Sequence, residues 1–446
     1  MSPVRPIPPA GPQRTLAVAQ LIGSIGDGAY YTCSALYFTR VIGMSPTRLG
    51  VGLAVAWAIG SLAGVPLGHL ADRRGPRGTA VLLALATGTV VASFLAIRSF
   101  WPFLLAVSLY ATAQSGLTAA RQALIAGLVA RAERTALLAR LQSTLNAGLA
   151  LGAALGGVVL STGSRAGYLV AFAVTAVGFV VSGLMLLRLP APAPAPAGPR
   201  PAGGGARAER RLAVLSDRRY ALVTLVNTVL LLRMPLLSLA IPLWIAARAE
   251  SLGWLGPVLF VLNTAGVMAF QVRTARGVTG LRSASRTVRD AGAFLLASCA
   301  VFALTAADVP LWGTAVLLVV AATLQLVGEM KQSAGSWQIS FDLAPAHQTG
   351  QYQGFFGSGV AVARTVGPLL LTTLLLDWGA PGWLLLGGLF LAAGCAMGPA
   401  VRWAERDRPG AVAAVPAPAP AAEVPSPGAE VPSPGAVDAA AGVARA

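Results

Sequence analysis

Lysine occurs once in this chain, histidine twice and cysteine three times, and only 16 residues are acidic. Each shortage excludes something. Cys33, Cys299 and Cys395 lie far apart inside apolar runs, with no Cys-x-x-Cys pair and no grouping with His69 or His347. Metal-site spacing is therefore absent, and the thiols read as small buried apolar groups. No phosphate-binding glycine loop and no Ser/His/Asp set is present, so neither an enzyme nor a cofactor is expected. Charge is the largest deficit: 11% of the residues are charged and 55% are hydrophobic, whereas a soluble domain carries about 25% charge. A soluble fold of this composition would expose large apolar patches.

What the chain does contain is a series of apolar runs. About 20 such residues cross the ~30 Å hydrocarbon core as a helix. The runs fall at 16–39, 49–70, 79–97, 100–128, 136–161 and 166–188, and again at 220–247, 252–272, 291–307, 311–341, 354–376 and 381–401. They lack the alternation of a membrane barrel strand, which predicts an all-α membrane protein of twelve transmembrane helices. The net charge of +17 comes almost wholly from arginine. With both termini placed in the cytoplasm, 24 arginines fall in inside segments and five outside, at Arg40, Arg48, Arg98, Arg165 and Arg248; Arg121, Arg233 and Arg364 lie within spans. That split follows the positive-inside rule and predicts a multi-pass protein of the inner (cytoplasmic) membrane, with both termini cytoplasmic. It also accounts for the basic excess without a nucleic-acid partner. Met1 to Arg14 lacks the order of a signal peptide, so the first span is expected to stay.

Composition divides the chain further. Residues 1–15 form an N-terminal cytoplasmic segment. Residues 189–219 run from an Ala-Pro repeat through three glycines to an arginine cluster, the composition of a linker. It separates one set of six spans, 16–188, from another, 220–403. Residues 404–446, rich in Ala, Pro and Val, are expected to be a disordered cytoplasmic tail. The halves echo each other: shifted by 206, Gly50 meets Gly256 and Asp27 meets Arg233; shifted by 211, Trp101 meets Trp312 and Gln114 meets Gln325. Repeated halves characterise secondary transporters, with a substrate site near the midplane between them.

Between spans two and three stands Gly68-His69-Leu70-Ala71-Asp72-Arg73-Arg74-Gly75-Pro76-Arg77. Gly75 permits a tight turn, and Asp72 can pair with arginine or accept from donors at a helix N-terminus. The segment resembles the GxLaDRxGrkk loop of the major facilitator superfamily through Gly68, Asp72, Arg73, Gly75 and Arg77, with Pro76 and Gly78 at two positions that are usually basic. Span five, with Gly148, Gly152, Gly156 and Gly157, resembles the family's G-P-x-x-G-G antiporter motif, with Ala153 in place of the proline. Gln114-Ser115-Gly116 stands near the family's RxxQG motif without its arginine. The resemblance implies two pseudo-symmetric six-helix bundles around a central cavity, alternating access, and kinship with drug and natural-product efflux members.

Ionisable groups inside a bilayer are costly and mark function. Asp27, Arg233 and Glu329 lie deepest in their spans. Asp27 and Arg233, at matching positions of spans one and seven, are candidates to pair across the cavity. Apolar surroundings disfavour a charged carboxylate, so Asp27 and Glu329 are both candidates for a coupling proton. Tyr30, Tyr31, Asn146, Asn227, Asn263, Gln325 and Trp337 are further candidates for the cavity wall. Gly52, Ala56, Gly60, Gly64 and Gly68 form a small-residue stripe that lets helices approach closely, as do Gly148, Gly152 and Gly156; the span-two stripe is expected to be a sliding interface. The expected partners are a small-molecule substrate, protons and the bilayer, with the chain a monomer. The leading expectation is a proton-coupled exporter of an amphipathic or hydrophobic compound. An importer of an organic anion or sugar, with Arg233 holding the anion, is the alternative, and a non-transporting receptor or scaffold a third.

Overall fold

The computed structural model describes residues 11–162, 164–192, 212–307 and 309–406. Among them are twelve long helices: α1 Pro12–Leu36, α2 Pro46–Arg74, α3 Pro76–Ser93, α4 Phe100–Leu128, α5 Arg131–Thr162, α6 Arg165–Leu186, α7 Arg218–Arg248, α8 Leu255–Arg276, α9 Leu281–Leu304, α10 Leu311–Asp342, α11 Thr349–Thr372 and α12 Ala380–Glu405. Nine of them are long and apolar enough to cross a membrane. The other three are α1, α3 and α5, whose polar residues, among them Gln20, Asp27 and Thr87, include several that face the interior rather than lipid.

Local signals set the helix ends. The Ser45 hydroxyl accepts from the Arg48 N–H at 3.3 Å and Ser164 accepts from Gly167 at 3.1 Å, each satisfying a free donor of a first turn. Asp217 does the same for α7, accepting from Tyr220 at 2.9 Å. A single residue, Gly75 at φ 95°, joins α2 to α3; a side chain there would be strained. Several helices start earlier than apolar content alone indicates. The clearest is α9, which begins at Leu281 rather than 291, because Arg282, Arg286 and Arg289, with Ala284, are good helix formers that add turns ahead of the apolar run. Between the halves, a short 3₁₀ turn at Ala213–Ser216 leads into α7, so the latter part of the expected linker is ordered; residues 193–211 lie outside the described residues. The last helix runs to Glu405, and the rest of the expected tail, from 407, also lies outside them.

The packing pattern repeats with an offset of six helices. In the first half α1 packs on α5 and α6, α2 on α4, and α3 on α4 and α6; in the second α7 packs on α11 and α12, α8 on α10, and α9 on α10 and α12. The weak sequence echo is thus a structural one. Trp101 and Trp312, matched by the echo, begin α4 and α10 and are each 74% exposed, as suits aromatic anchors at a membrane boundary. The two bundles meet where α2 crosses α11 and α5 crosses α8. Many outward-facing leucines and valines, such as Leu62 and Leu369, are exposed, an arrangement stable only with lipid as solvent.

Candidate functional site

A cavity of about 450 Å³ lies between the bundles, within the range that holds small organic molecules. Its walls are amphipathic. Tyr31, Trp57, Met234, Trp337 and several leucines supply apolar area, and Gln20, Gln114, Gln142 and Gln353 supply amides. Three charged side chains reach it: Asp27 from α1, Arg121 from α4 and Arg364 from α11.

Asp27 is held by α4. Its Oδ1 accepts from the Tyr110 hydroxyl at 3.0 Å and from Gln114 Nε2 at 3.2 Å, and Gln114 also donates to Tyr110 at 3.2 Å. Tyr110 and Gln114 are one helical turn apart, so a single face of α4 supplies both donors. The Arg364 guanidinium lies 5.9 Å from the centre of the Trp57 ring, a cation–π contact linking α11 to α2 across the bundle interface. Gln122, beside Arg121, has a buried Oε1 with no partner among the described residues.

Arg233 does not face Asp27. It sits where α7 breaks, since Pro235 has no N–H to give to Leu231. Its Nη1 lies 3.0 Å from Glu329 Oε1, and it donates twice to Gln332 Oε1, at 3.0 and 2.8 Å, and to Ser333 at 3.1 Å. Gln332 in turn donates to Asn227 at 2.8 Å, Ser336 donates to Asn227 at 2.6 Å, and Asn263 donates to Glu329 at 3.0 Å. Arg233, Glu329 and Asn227 thus form one satisfied network inside the second bundle, and none of them lines the cavity. The expected pair between Asp27 and Arg233 is replaced by two separate arrangements, each internal to one bundle.

The other candidates divide as follows. Tyr30 is 4% exposed and packs among Phe94, Tyr110 and Phe172, pointing into the first bundle; its neighbour Tyr31, about 100° round the helix, lines the cavity instead. Gln325 is 2% exposed with an Oε1 that has no partner among the described residues, and Asn146 is half-buried on α5; neither reaches the cavity wall. Tyr110, Gln332 and Ser336 carry the two networks yet were missing from the sequence reading. A signal existed for each: polar residues one turn apart inside an apolar helix, at 110 and 114 and at 332 and 336.

The loop motif works at the bundle interface. Asp72 accepts from the backbone N–H of Gly350 at 2.7 Å and of Gln351 at 2.8 Å, in the first turn of α11, where a carboxylate is favoured by the helix dipole. Gly68 makes this approach possible: a Cβ there would lie 2.1 Å from the Gly350 carbonyl oxygen. Arg77 donates to the Leu189 carbonyl at 2.8 Å and so ties the start of α3 to the end of the first bundle. Arg73 is exposed. On the same face of the protein Arg131 meets Asp342 at 2.6 Å, and the Thr135 hydroxyl donates to Gln338. These contacts latch the bundles together at the arginine-rich end.

The span-two stripe divides between two neighbours. Gly52 and Gly60 face Phe103 and Ala111 of α4 within their own bundle, while Gly64 and Gly68 face Gly354 and Gly350 of α11 across the interface. Gly148, Gly152 and Gly156 all face α1, meeting Ser24, the Ile25 carbonyl and Thr32.

Comparison with known proteins agrees with this architecture. The family model described as Major Facilitator Superfamily matches residues 16–368. A sequence search of curated proteins returns no match. Among solved structures, the human organic anion transporter MFSD10 (TETRAN) superposes with a TM-score of 0.63 at 19% identity, over 87% of this chain and 100% of that one. A bacterial homologue of the iron transporter ferroportin, in its outward-facing state, gives 0.67 at 14% identity, over 88% and 99%. The proton:xylose symporter XylE gives 0.61 at 13% identity, over 86% and 95%. At these identities the likeness is one of fold, and with the family match it shows that this chain is a multi-pass membrane transporter belonging to the major facilitator superfamily.

Proposed function

We propose that the chain is a secondary active, proton-coupled exporter of a small amphipathic compound, working by alternating access. The observation that carries this reading is Asp27 on the wall of an amphipathic cavity between the bundles. A cargo with an apolar body fits Tyr31, Trp57 and Trp337, and a polar or basic group on it reaches Asp27. Because the proton and such a group would share one carboxylate, binding one favours release of the other, which is exchange.

Two carboxylates were candidates for the coupling proton, and their partners separate them. Glu329 is paired with Arg233, which is 6% exposed. Protonating Glu329 would strand a buried cation, at a cost of several kcal/mol. Asp27 is held by two neutral donors, Tyr110 and Gln114, so it can gain or lose a proton without stranding a charge on either. We therefore assign coupling to Asp27. The latch of Asp72 on α11 and of Arg131 on Asp342 closes the arginine-rich side, so this conformation is read as open to the opposite, outer side. The structural likeness to a protein in an outward-facing state supports that reading.

The second reading is import of an organic anion. It is favoured by Arg121 and Arg364, which outnumber Asp27 in the cavity, and by the likeness to an organic anion transporter. The coupling sign discriminates the two. A protonated Asp27 leaves both arginines free for an anion, so proton and anion would travel together. In vesicles with an imposed proton gradient, the exporter reading expects a lipophilic cation or neutral dye to move against the proton flow, and Asp27→Asn to abolish that dependence while Glu329→Gln retains it. Movement of an organic anion with the proton would establish the second reading. Full coupling in Asp27→Asn would remove Asp27 from both.

A further inference from the structure

The α9 helix carries a feature that lies away from the cavity wall. Arg282, Arg286 and Arg289 are all exposed and spaced by four and three residues, which puts them on one face over about 10 Å of helix. The opposite face, with Ala284, Val288, Ala291 and Gly292, is buried against α10 and α12. Arg273 and Arg276, exposed at the end of α8, add to the same end of the molecule. Asp290 is the only acid between Glu250 and Asp308. It is already engaged, with the chain's single lysine, Lys331, at 3.2 Å and with Arg289 at 3.8 Å. Arg282 and Arg286 have no ion-pair partner among the described residues.

The fold does not require this stripe. By the six-helix repeat the counterpart of α9 is α3, and there the first turns carry one arginine, Arg77, turned inward to the Leu189 carbonyl. Loop arginines would suffice to orient the hairpin. Here the charges climb an ordered helix along its outer face, and Arg289 lies about two turns above the start of α9. We propose that this face docks the headgroup of an acidic phospholipid in the leaflet at the arginine-rich end, with Arg282 and Arg286 on the phosphate and Arg289 reaching back down to it. The occupant follows from charge and place: a surface within the bilayer boundary meets lipid headgroups before any other anion, and clustered basic side chains between or along membrane helices suit anionic lipids.

Native mass spectrometry of the purified full chain, taken from mixed vesicles of phosphatidylglycerol and phosphatidylcholine, tests this. The unaltered chain should retain phosphatidylglycerol in preference to phosphatidylcholine, and excess inorganic phosphate should not displace it. The R282Q/R286Q/R289Q variant should weaken retention by about fivefold per charge removed. The charge-matched R40Q/R48Q/R165Q variant, altered at the other end, should not, and R282K/R286K/R289K should keep most of it. Equal retention of the two lipids, displacement by phosphate, or unchanged retention in the folded triple glutamine variant would each overturn the proposal. If that variant does not fold, R286Q alone and the two-lipid competition on the unaltered chain decide it.

Discussion

At the scale of residues, the two bundles hold their charges in opposite ways. The Asp27 carboxylate is met by neutral donors and open to a cavity, whereas a buried Arg233 and a half-buried Glu329 neutralise each other inside the second bundle. The energetics of the second arrangement are asymmetric: removing one partner of a fully buried pair costs about 3–5 kcal/mol because the other charge is stranded, less where a partner is part-exposed as Glu329 is, while removing both costs far less. Arg233→Gln and Glu329→Gln are each expected to lower the thermal unfolding temperature in detergent clearly. Arg233→Gln combined with Glu329→Gln should recover most of that loss. If the combined variant falls by the sum of the two single losses, the pair is not acting as a unit. That Asp27, Arg233 and Glu329 stand apart was legible from their rarity in apolar spans. Which of them touch was not, because pairing depends on helix rotation, and two neighbours show it: Tyr30 and Tyr31 were both expected in the cavity wall, and only Tyr31 lines it.

At the scale of elements, the glycine stripe of α2 is a shared device. Its outer part lets α4 approach and its inner part lets α11 approach, so one stripe serves a fixed contact and an interface between bundles. The four-residue spacing was plain in the sequence, but a spacing does not name the helix that fills the groove. The consequence is a split outcome. A Cβ on Gly60 would meet the Ala111 backbone at 2.8 Å, so Gly60→Leu should destabilise the first bundle and reduce the folded yield. A Cβ on Gly64 would meet the Gly354 carbonyl oxygen at 3.1 Å, so Gly64→Leu should hold the bundles apart at the arginine-rich side, with transport lost and the fold kept. Transport assays beside thermal melts check both; equal effects on both measurements for both variants would place the two glycines in one contact. The broken α7 belongs here too. Pro235 was visible, and its effect on the helix follows from proline itself, while the use of the break to seat Arg233 against α10 depends on packing.

At the scale of the whole molecule, the polar contacts that join the bundles at the arginine-rich side include Asp72 on the first turn of α11, Gln351 on His69, Arg131 on Asp342, and Thr135 on Gln338. A carboxylate at a helix N-terminus contributes about 0.3–1 kcal/mol, and up to ~2 when partly buried, enough to shift a balance of two conformations several-fold. Asp72→Asn is expected to raise labelling of a Thr118→Cys reporter in the cavity wall by an impermeant thiol reagent added from the arginine-rich side. The background is Cys395→Ser, since Cys33 and Cys299 are buried. Unchanged labelling would mean that the other contacts hold that side without Asp72. The sequence by itself determined that this chain lives in a membrane, crosses it as helices in two related sets, and carries the Asp72 loop, because apolar length, arginine placement and a glycine turn are local properties that lipid and water sort directly. Only the tertiary structure decided that Asp27 lines the cavity while Arg233 and Glu329 retire into a network, and that Gly64 rather than Gly60 meets the other bundle. Those outcomes depend on how each helix is rotated and which neighbour it packs on, and many small contacts distant in sequence set that together.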